Sequence, residues 1–415
     1  MTMISTESQL NLMPSESQIP IASPIAGRFA ARLALFYGTL FGLSGMQLPF
    51  FPVWLRAIGI DPSWIGIISA VPAVTRFTTL PMVTSLAERR QALRGALILT
   101  SVLSALGFAL VGLRHEAIAV FLAYVATACV WTPMVPLTDA YALRGVVRYG
   151  INYGPVRLWG SAAFVVGALA CGLLIDIIDP RRLIWIIVAM AATGALASVA
   201  LKPLEALPPV AATSQRGDRL LRNAAFLVII TASALIQGSH AAYYIFSAIN
   251  WRAQGLDGLT IASLWALGVI AEIVVFATSP RYTLAPSTLV VIGALSAVVR
   301  WCVTAQDPQL VWLAVVQLGH GLSFGLTQVG TMELLVRHVP PHMTARGQGY
   351  LTACSGIIGS CASILCGAIY ARYGQGVYYL MAVMAGSGAL MMWLARHRLA
   401  HPSLEPQPQS AASGG

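Results

Sequence analysis

Charge is what this sequence has least of. Charged residues fill 10% of its 415 positions, where a soluble domain carries roughly 25% because its surface must face water. With 57% apolar residues and a mean hydropathy of +0.75, the chain has too little polar material to cover a globule. A water-soluble enzyme or binding module is excluded, and the outer surface must face lipid. Lysine is almost missing, a single Lys202 against 24 arginines. The net charge of +10 is not gathered into a patch, as a nucleic-acid surface requires. Its arginines sit at the ends of apolar runs, where membrane topology signals lie. The six cysteines, Cys129, Cys171, Cys302, Cys354, Cys361 and Cys366, fall inside apolar stretches without ligand spacing and read as small buried hydrophobes, not as disulfides or a metal site. There is no zinc motif, no Ser-His-Asp set and no ATP-binding glycine loop. A polytopic membrane enzyme therefore has nothing to work with. No catalytic residue and no cofactor is expected, and the energy for any transport must come from a gradient. A signal peptide is also absent: residues 1–27 are polar and Ser/Pro-rich, which predicts a disordered tail.

Long apolar runs are what the chain has in excess. A spanning helix needs about 20 mainly apolar residues to cross roughly 30 Å of hydrocarbon. Twelve such runs are expected, at 32–55, 63–86, 94–113, 116–141, 153–175, 182–201, 223–247, 259–279, 287–305, 310–336, 346–370 and 376–396. The one long internal connection, 202–222, is rich in Pro, Ser and charge and divides the chain six and six. The expected organisation is an all-α membrane protein: a tail at 1–27, a six-helix bundle at 28–201, a cytoplasmic linker at 202–222, a second bundle at 223–398 and a tail at 399–415. Sixteen Arg and Lys residues fall on the side holding the termini and the linker, among them Arg28, Arg89, Arg144, Lys202, Arg222 and Arg396, against six on the other side. That asymmetry predicts cytoplasmic termini.

Three arginines, Arg76, Arg157 and Arg300, belong to neither side and lie within the spans. Asp139, His240, Glu272 and His320 join them. An ionisable group at mid-bilayer costs about 2.5–3.5 kcal/mol on insertion scales, so such groups face a polar interior and usually serve a purpose. Guanidinium groups grip carboxylates in two-pronged fashion, which suits capture of an organic anion. A carboxyl in a dry cavity protonates readily and a neighbouring Arg opposes that, so Glu272 with Arg300 can change protonation state as the site opens or fills. His320 titrates near neutral pH. Each has a plainer alternative. Asp139 with Arg157 ties two helices; Arg76 is a fixed partner for an acid elsewhere; His240 bonds a backbone carbonyl. Asp139 followed by Arg144, and Glu333 followed by Arg337, form a weak repeat between the halves that also fits ordinary helix-end pairs. Gly160, Gly167, Gly356, Gly359 and Gly367 would permit close helix approach, and Pro49, Pro72, Pro133 and Pro136 would bend helices.

The segments Val135-Pro-Leu-Thr-Asp139 and Tyr153-Gly-Pro-Val-Arg157-Leu-Trp-Gly-Ser161 resemble the oligosaccharide/lactose permease branch of the major facilitator superfamily. In that branch a helix-4 carboxylate and a helix-5 Arg stand eighteen residues apart, as do Asp139 and Arg157. Helices 8, 9 and 10 there carry a Glu, an Arg and a His, as Glu272, Arg300 and His320 do here. Closer still is the family of bacterial 3-phenylpropionic acid permeases, through Val156-Arg-Leu-Trp-Gly-Ser161, His240-Ala-Ala-Tyr243-Tyr244, Phe246-Ser-Ala248, Ala271-Glu272 and Val299-Arg-Trp301. The resemblance implies a major facilitator fold of two six-helix bundles in a bacterial inner membrane, and import of an aromatic monocarboxylate with a proton. Arg157, Arg300, Asp139, Phe164, Arg76, His240 and Tyr243 would meet substrate, and Glu272 with His320 would handle the proton. Two departures stand out. Where lactose permease has a second Glu beyond the helix-10 His, this chain has Ser323; where its sugar stacks on Trp, this chain has Phe164. Rival expectations are a proton-coupled sugar or nucleoside symporter, a drug/proton antiporter, and a receptor that does not transport.

Overall fold

The computed structural model describes residues 24–151, 153–204, 218–340 and 343–400. The expected tails fall almost entirely outside them, as does most of the linker. Described residues are overwhelmingly helical, as lipid demands, because only a helix satisfies every backbone group within its own segment.

Eleven stretches are long and apolar enough to cross a membrane, and the last of them, Arg346–Leu399, folds back on itself. The reversal is the 3-10 turn Gly374–Gly376, begun by Gly374 at φ +52°, where a side chain would be strained. The spans among the described residues are therefore twelve: α1 Pro24–Ala57, α2 Pro62–Arg89, α3 Leu93–Gly112, α4 Ala117–Tyr149, α5 Tyr153–Ile175, α6 Leu183–Val199, α7 Ala224–Ala253, α8 Gly258–Thr278, α9 Pro286–Thr304, α10 Leu310–His338, α11 Thr344–Tyr373 and α12 Val377–Leu399. Several run past their hydropathic limits. α1 begins at Pro24, inside the segment expected as tail, and α4 continues to Tyr149 through Arg144 and Arg148. Hydropathy marks where lipid ends, whereas the backbone ladder continues into water.

Four spans are interrupted. α2 breaks at Thr78, α4 at Thr132–Pro133 and α7 at Ser239–His240, while α10 carries a π-turn over Gly321–Leu326. Pro133 accounts for the second break by removing a backbone donor. The α7 break has no proline, and Ser239 stabilises it by donating to Ile236 O at 2.6 Å and accepting from Trp301 Nε1 at 3.1 Å.

In the first bundle α1 packs on α5 and α6, and α3 on α4 and α6; in the second α7 packs on α11 and α12, and α9 on α10 and α12. The bundles meet through α2 with α11, α5 with α8 and α1 with α7. Glycines set these crossings: a Cβ on Gly172 would lie 2.4 Å from Gly258 O, and one on Gly66 would lie 2.6 Å from Ser363 O and 2.7 Å from Gly367 Cα. Gly167 approaches Gly42 in the same way. Gly359, expected to do likewise, has open space around it.

Apolar packing shows which end is closed. At the end remote from the termini one continuous core draws on both bundles, from Trp54 and Ile68 to Trp251 and Met381. At the termini end the cores of the described residues are separate, one confined to the first bundle (Phe29, Leu97, Tyr141) and a larger and a smaller one to the second (Phe226, Leu334, Met392; Val275, Leu289, Leu326). The molecule is sealed at the far end and parted at the end that carries the termini.

Candidate functional site

In the second bundle, α10 lies close enough to α8 and α9 to bring their polar residues together. A Cβ on Gly321 would come 2.5 Å from Ala271 O, and one on Gly319 3.1 Å from Arg300 Cδ. Only the missing side chains allow that approach. The π-turn begins one residue after His320, and such turns frequently mark functional sites.

Arg300 is the hub and is 3% exposed. Its Nε donates to Val316 O at 2.8 Å, and its Nη1 donates to Ser323 Oγ at 2.6 Å. The same Nη1 lies 3.3 Å from His320 Nδ1 and 3.4 Å from His240 Nε2. Nitrogens that face a guanidinium must offer lone pairs, so each imidazole carries its proton on the other nitrogen. His240 Nδ1 then donates to Ile236 O at 3.1 Å, and His320 Nε2–H points to Glu272 Oε2 at 3.8 Å. His320 thus stands between Arg300 and Glu272, which the sequence had set side by side. Arg300 Nη2 is buried without a hydrogen-bond partner, and among the described residues no carboxylate lies within ion-pair distance of Arg300. Its charge is offset by rings: Trp301 at 4.6 Å and Tyr243 at 5.5 Å from the guanidinium carbon. Tyr243 is 2% exposed and stacks on Trp265 at 4.7 Å, so its expected meeting with substrate would need that stack to open. The Glu272 side chain is the accessible member, 24% exposed against 7% for His320.

The first bundle holds a second cluster. Asp139 Oδ1 accepts from Tyr37 at 2.5 Å and from Tyr153 at 3.1 Å, while Arg157 Nε is farther off at 3.9 Å. Arg157 rests instead on the Phe41 ring, 4.2 Å from its centroid, and its side chain is 32% exposed. The anticipated pairing of Asp139 with Arg157 is a loose contact, with two phenols doing the holding. Nor does the inter-half repeat persist in structure: Glu333 pairs with Arg337 at 3.7 Å, whereas Asp139 turns to the tyrosines. Phe164 is half-buried and packs on the core of the closed end. Arg76, near the end of the first segment of α2, has an exposed side chain and lies within electrostatic reach of Tyr244 on α7.

Sequence reasoning missed Tyr37, Phe41, Tyr153, Tyr244 and the bridging role of Ser323. Tyr153 had a signal, one helical turn before Arg157. Tyr244 was visible beside Tyr243, but only the tertiary packing shows which of the adjacent phenols is buried. Tyr37 and Phe41 had none.

Comparison with known proteins agrees with this architecture. The MFS_1 like family profile matches residues 30–381. A probable 3-phenylpropionic acid transporter of Escherichia coli (strain K12) is 31% identical over 364 residues, covering 85% of this chain and 94% of that protein. A maltose permease of Geobacillus stearothermophilus is 26% identical over 373 residues, covering 88% and 95%. Among solved structures, a crystal structure of a mutant of the nucleoside transporter NupG superposes with a TM-score of 0.81 at 15% identity, covering 88% of this chain and 99% of that one.

Proposed function

The chain belongs to the MFS_1 like family of secondary transporters, and from that premise we propose that it imports a small aromatic monocarboxylate together with a proton across a bacterial inner membrane. The observation that supports this is the line Arg300–His320–Glu272, in which a buried cation is joined through an imidazole to a partly exposed carboxyl. Glu272 is the proton carrier. When it is ionised, the His320 Nε2–H faces it; when it is protonated, that attraction is lost and the line relaxes. With cytoplasmic termini, the parted end faces the cytoplasm and the structure is the inward-open state. Residues 28–201 and 223–398 are the units that rock around the site, joined by the linker 202–222. An anion and one proton cross as a neutral pair, so accumulation follows the pH gradient and not the membrane potential.

The E. coli relative's name supplies the substrate class. The maltose permease and the nucleoside transporter favour a second reading, a neutral sugar or nucleoside. A neutral solute brings no counter-ion to Arg300 or Arg76, neither of which has an ion pair among the described residues, and for that reason the acid is preferred. Uptake of labelled 3-phenylpropionate into proteoliposomes under an imposed pH gradient tests the proposal. Glu272→Gln should lose uphill accumulation and keep substrate exchange. Normal accumulation by that variant removes Glu272 as the carrier. Uptake of maltose or a nucleoside in place of the acid overturns the substrate class, and expulsion of the acid by the gradient would make the protein an antiporter.

A further inference from the structure

Three arginines lie in the membrane interior, and two of them are engaged. Arg300 is buried among Val316 O, Ser323 and two histidines, and Arg157 rests on Phe41 beside Asp139. Arg76 has neither ion pair, hydrogen bond nor ring contact among the described residues. An unpaired guanidinium at this depth is tolerated only where water or a solute reaches it.

Its direction follows from its neighbours on the helix. Thr75 is buried and accepts a hydrogen bond from Thr132 of α4 at 3.0 Å. Ala73 and Phe77 press on Gly356 of α11. Val74 is 39% exposed, on the face turned away from both of these contacts. At about 100° per residue Arg76 lies some 200° around from Val74, so it points inward between α4 and α11. α2 also meets the second half of α7, whose Tyr244 lies within electrostatic reach of Arg76. The Tyr244 hydroxyl makes no hydrogen bond among the described residues and is not one of the buried orphan atoms, so water reaches it. Its ring leans on Trp265 and His240, with centroids 5.9 and 6.0 Å away.

We propose that Arg76 and Tyr244 together hold the substrate's carboxylate, the guanidinium supplied by one bundle and the phenol by the other. The inference rests on the anionic-substrate reading above and says where on the protein the charge sits. An anion held from both sides draws the bundles together only when substrate is present, which couples occupancy to rocking. It also relieves Arg300 of that role: at 3% exposure its charge is left to the relay with His320 and Glu272.

The test is counterflow in proteoliposomes, without a gradient, comparing 3-phenylpropionate with its uncharged isostere 3-phenylpropanamide as competitor. Wild type should prefer the acid. Arg76→Gln should raise half-saturation for the acid about 10–100-fold, the worth of a charge-assisted hydrogen bond, and leave the amide unchanged. Tyr244→Phe should raise it about 3–10-fold, and Arg76→Lys should fall between wild type and Arg76→Gln. Retention of the full acid-over-amide preference in Arg76→Gln overturns the inference, as does loss of that preference in Arg157→Gln but not in Arg76→Gln. If Arg76→Gln does not fold, judged by its thermal unfolding midpoint, unchanged preference in both Arg76→Lys and Tyr244→Phe overturns it. A wild type that ignores aromatic acids altogether strikes the functional proposal first, and so the two failures are distinguishable.

Discussion

Asp176, just past the end of α5, and Arg252, near the end of α7, pair at 3.0 Å across the boundary between the two bundles. The second oxygen of Asp176 accepts the Gly258 N–H at 2.7 Å, and Arg252 Nη2 reaches Ile175 O at 3.3 Å. One carboxylate therefore ties α5 to both α7 and the start of α8, beside the Gly172–Gly258 crossing. Both side chains are about one-third exposed, so the pair itself is worth no more than about 1 kcal/mol.

That modest tie should still set the balance of states. Asp176→Asn and Arg252→Gln are each expected to raise the population open at the far end by up to about fivefold. Spin labels on the α5–α6 and α7–α8 turns, read by pulsed dipolar spectroscopy, should show the longer distance gaining weight. An unchanged distance distribution in both variants would remove the pair from the gate.

The glycine crossing sets a harder limit. A Cβ at position 172 lies 2.4 Å from Gly258 O and 2.8 Å from Ala262 Cβ, so Gly172→Val cannot reach the closed arrangement without parting the helices. Overpacking of this kind costs about 1–3 kcal/mol, and here the bundles can escape it by rocking. The variant should bind substrate and transport it at least about tenfold more slowly than wild type. Transport at the wild-type rate would show that the close approach is dispensable.

Ser323 links two side chains at the hub: it accepts from Arg300 Nη1 at 2.6 Å and lies 3.2 Å from His240 Nε2. Removing that acceptor in Ser323→Ala leaves a buried cation less satisfied, at an expected cost of about 1–3 kcal/mol. Thermal unfolding in detergent should show a lowered midpoint. A carboxylate there, Ser323→Glu, would give Arg300 the counter-ion it lacks among the described residues and should hold the line of Arg300, His320 and Glu272 more tightly, read as slower proton-coupled uptake.

Outside the spans, Asp257 caps α8, accepting the Thr260 N–H at 2.7 Å and the Thr260 hydroxyl at 3.0 Å. These bonds favour the ionised carboxyl and hold it below the usual carboxylate range. A depressed folded-state value means the stabilisation is present above the unfolded value, about 4, and is lost as pH falls through the folded one. Asp257→Ala should therefore unfold at a lower temperature than wild type at pH 7, with the gap closing as pH falls below the usual carboxylate range. A gap that persists undiminished in acid would assign the effect to something other than ionisation.

Much of the molecule was legible from its residues in order. The long apolar helices follow from hydropathy, and the places of Arg76, Glu272, Arg300 and His320 within them from counting along those runs. The α10 π-turn and the α7 break were not visible, because neither needs a proline: each depends on neighbours, Ala271 against Gly321 and Trp301 against Ser239.

The sequence by itself determined that the chain spans a membrane, because a chain with 10% charged residues cannot clothe itself in water, and it determined which ionisable groups fall within the apolar runs. Only the tertiary structure decided how those groups are shared out. It buried Arg300 with two histidines, set Arg157 on Phe41 and left Arg76 without an ion pair among the described residues. Such assignments turn on helix rotation and on approaches of a few ångströms between residues far apart in the chain, and one-dimensional spacing carries neither.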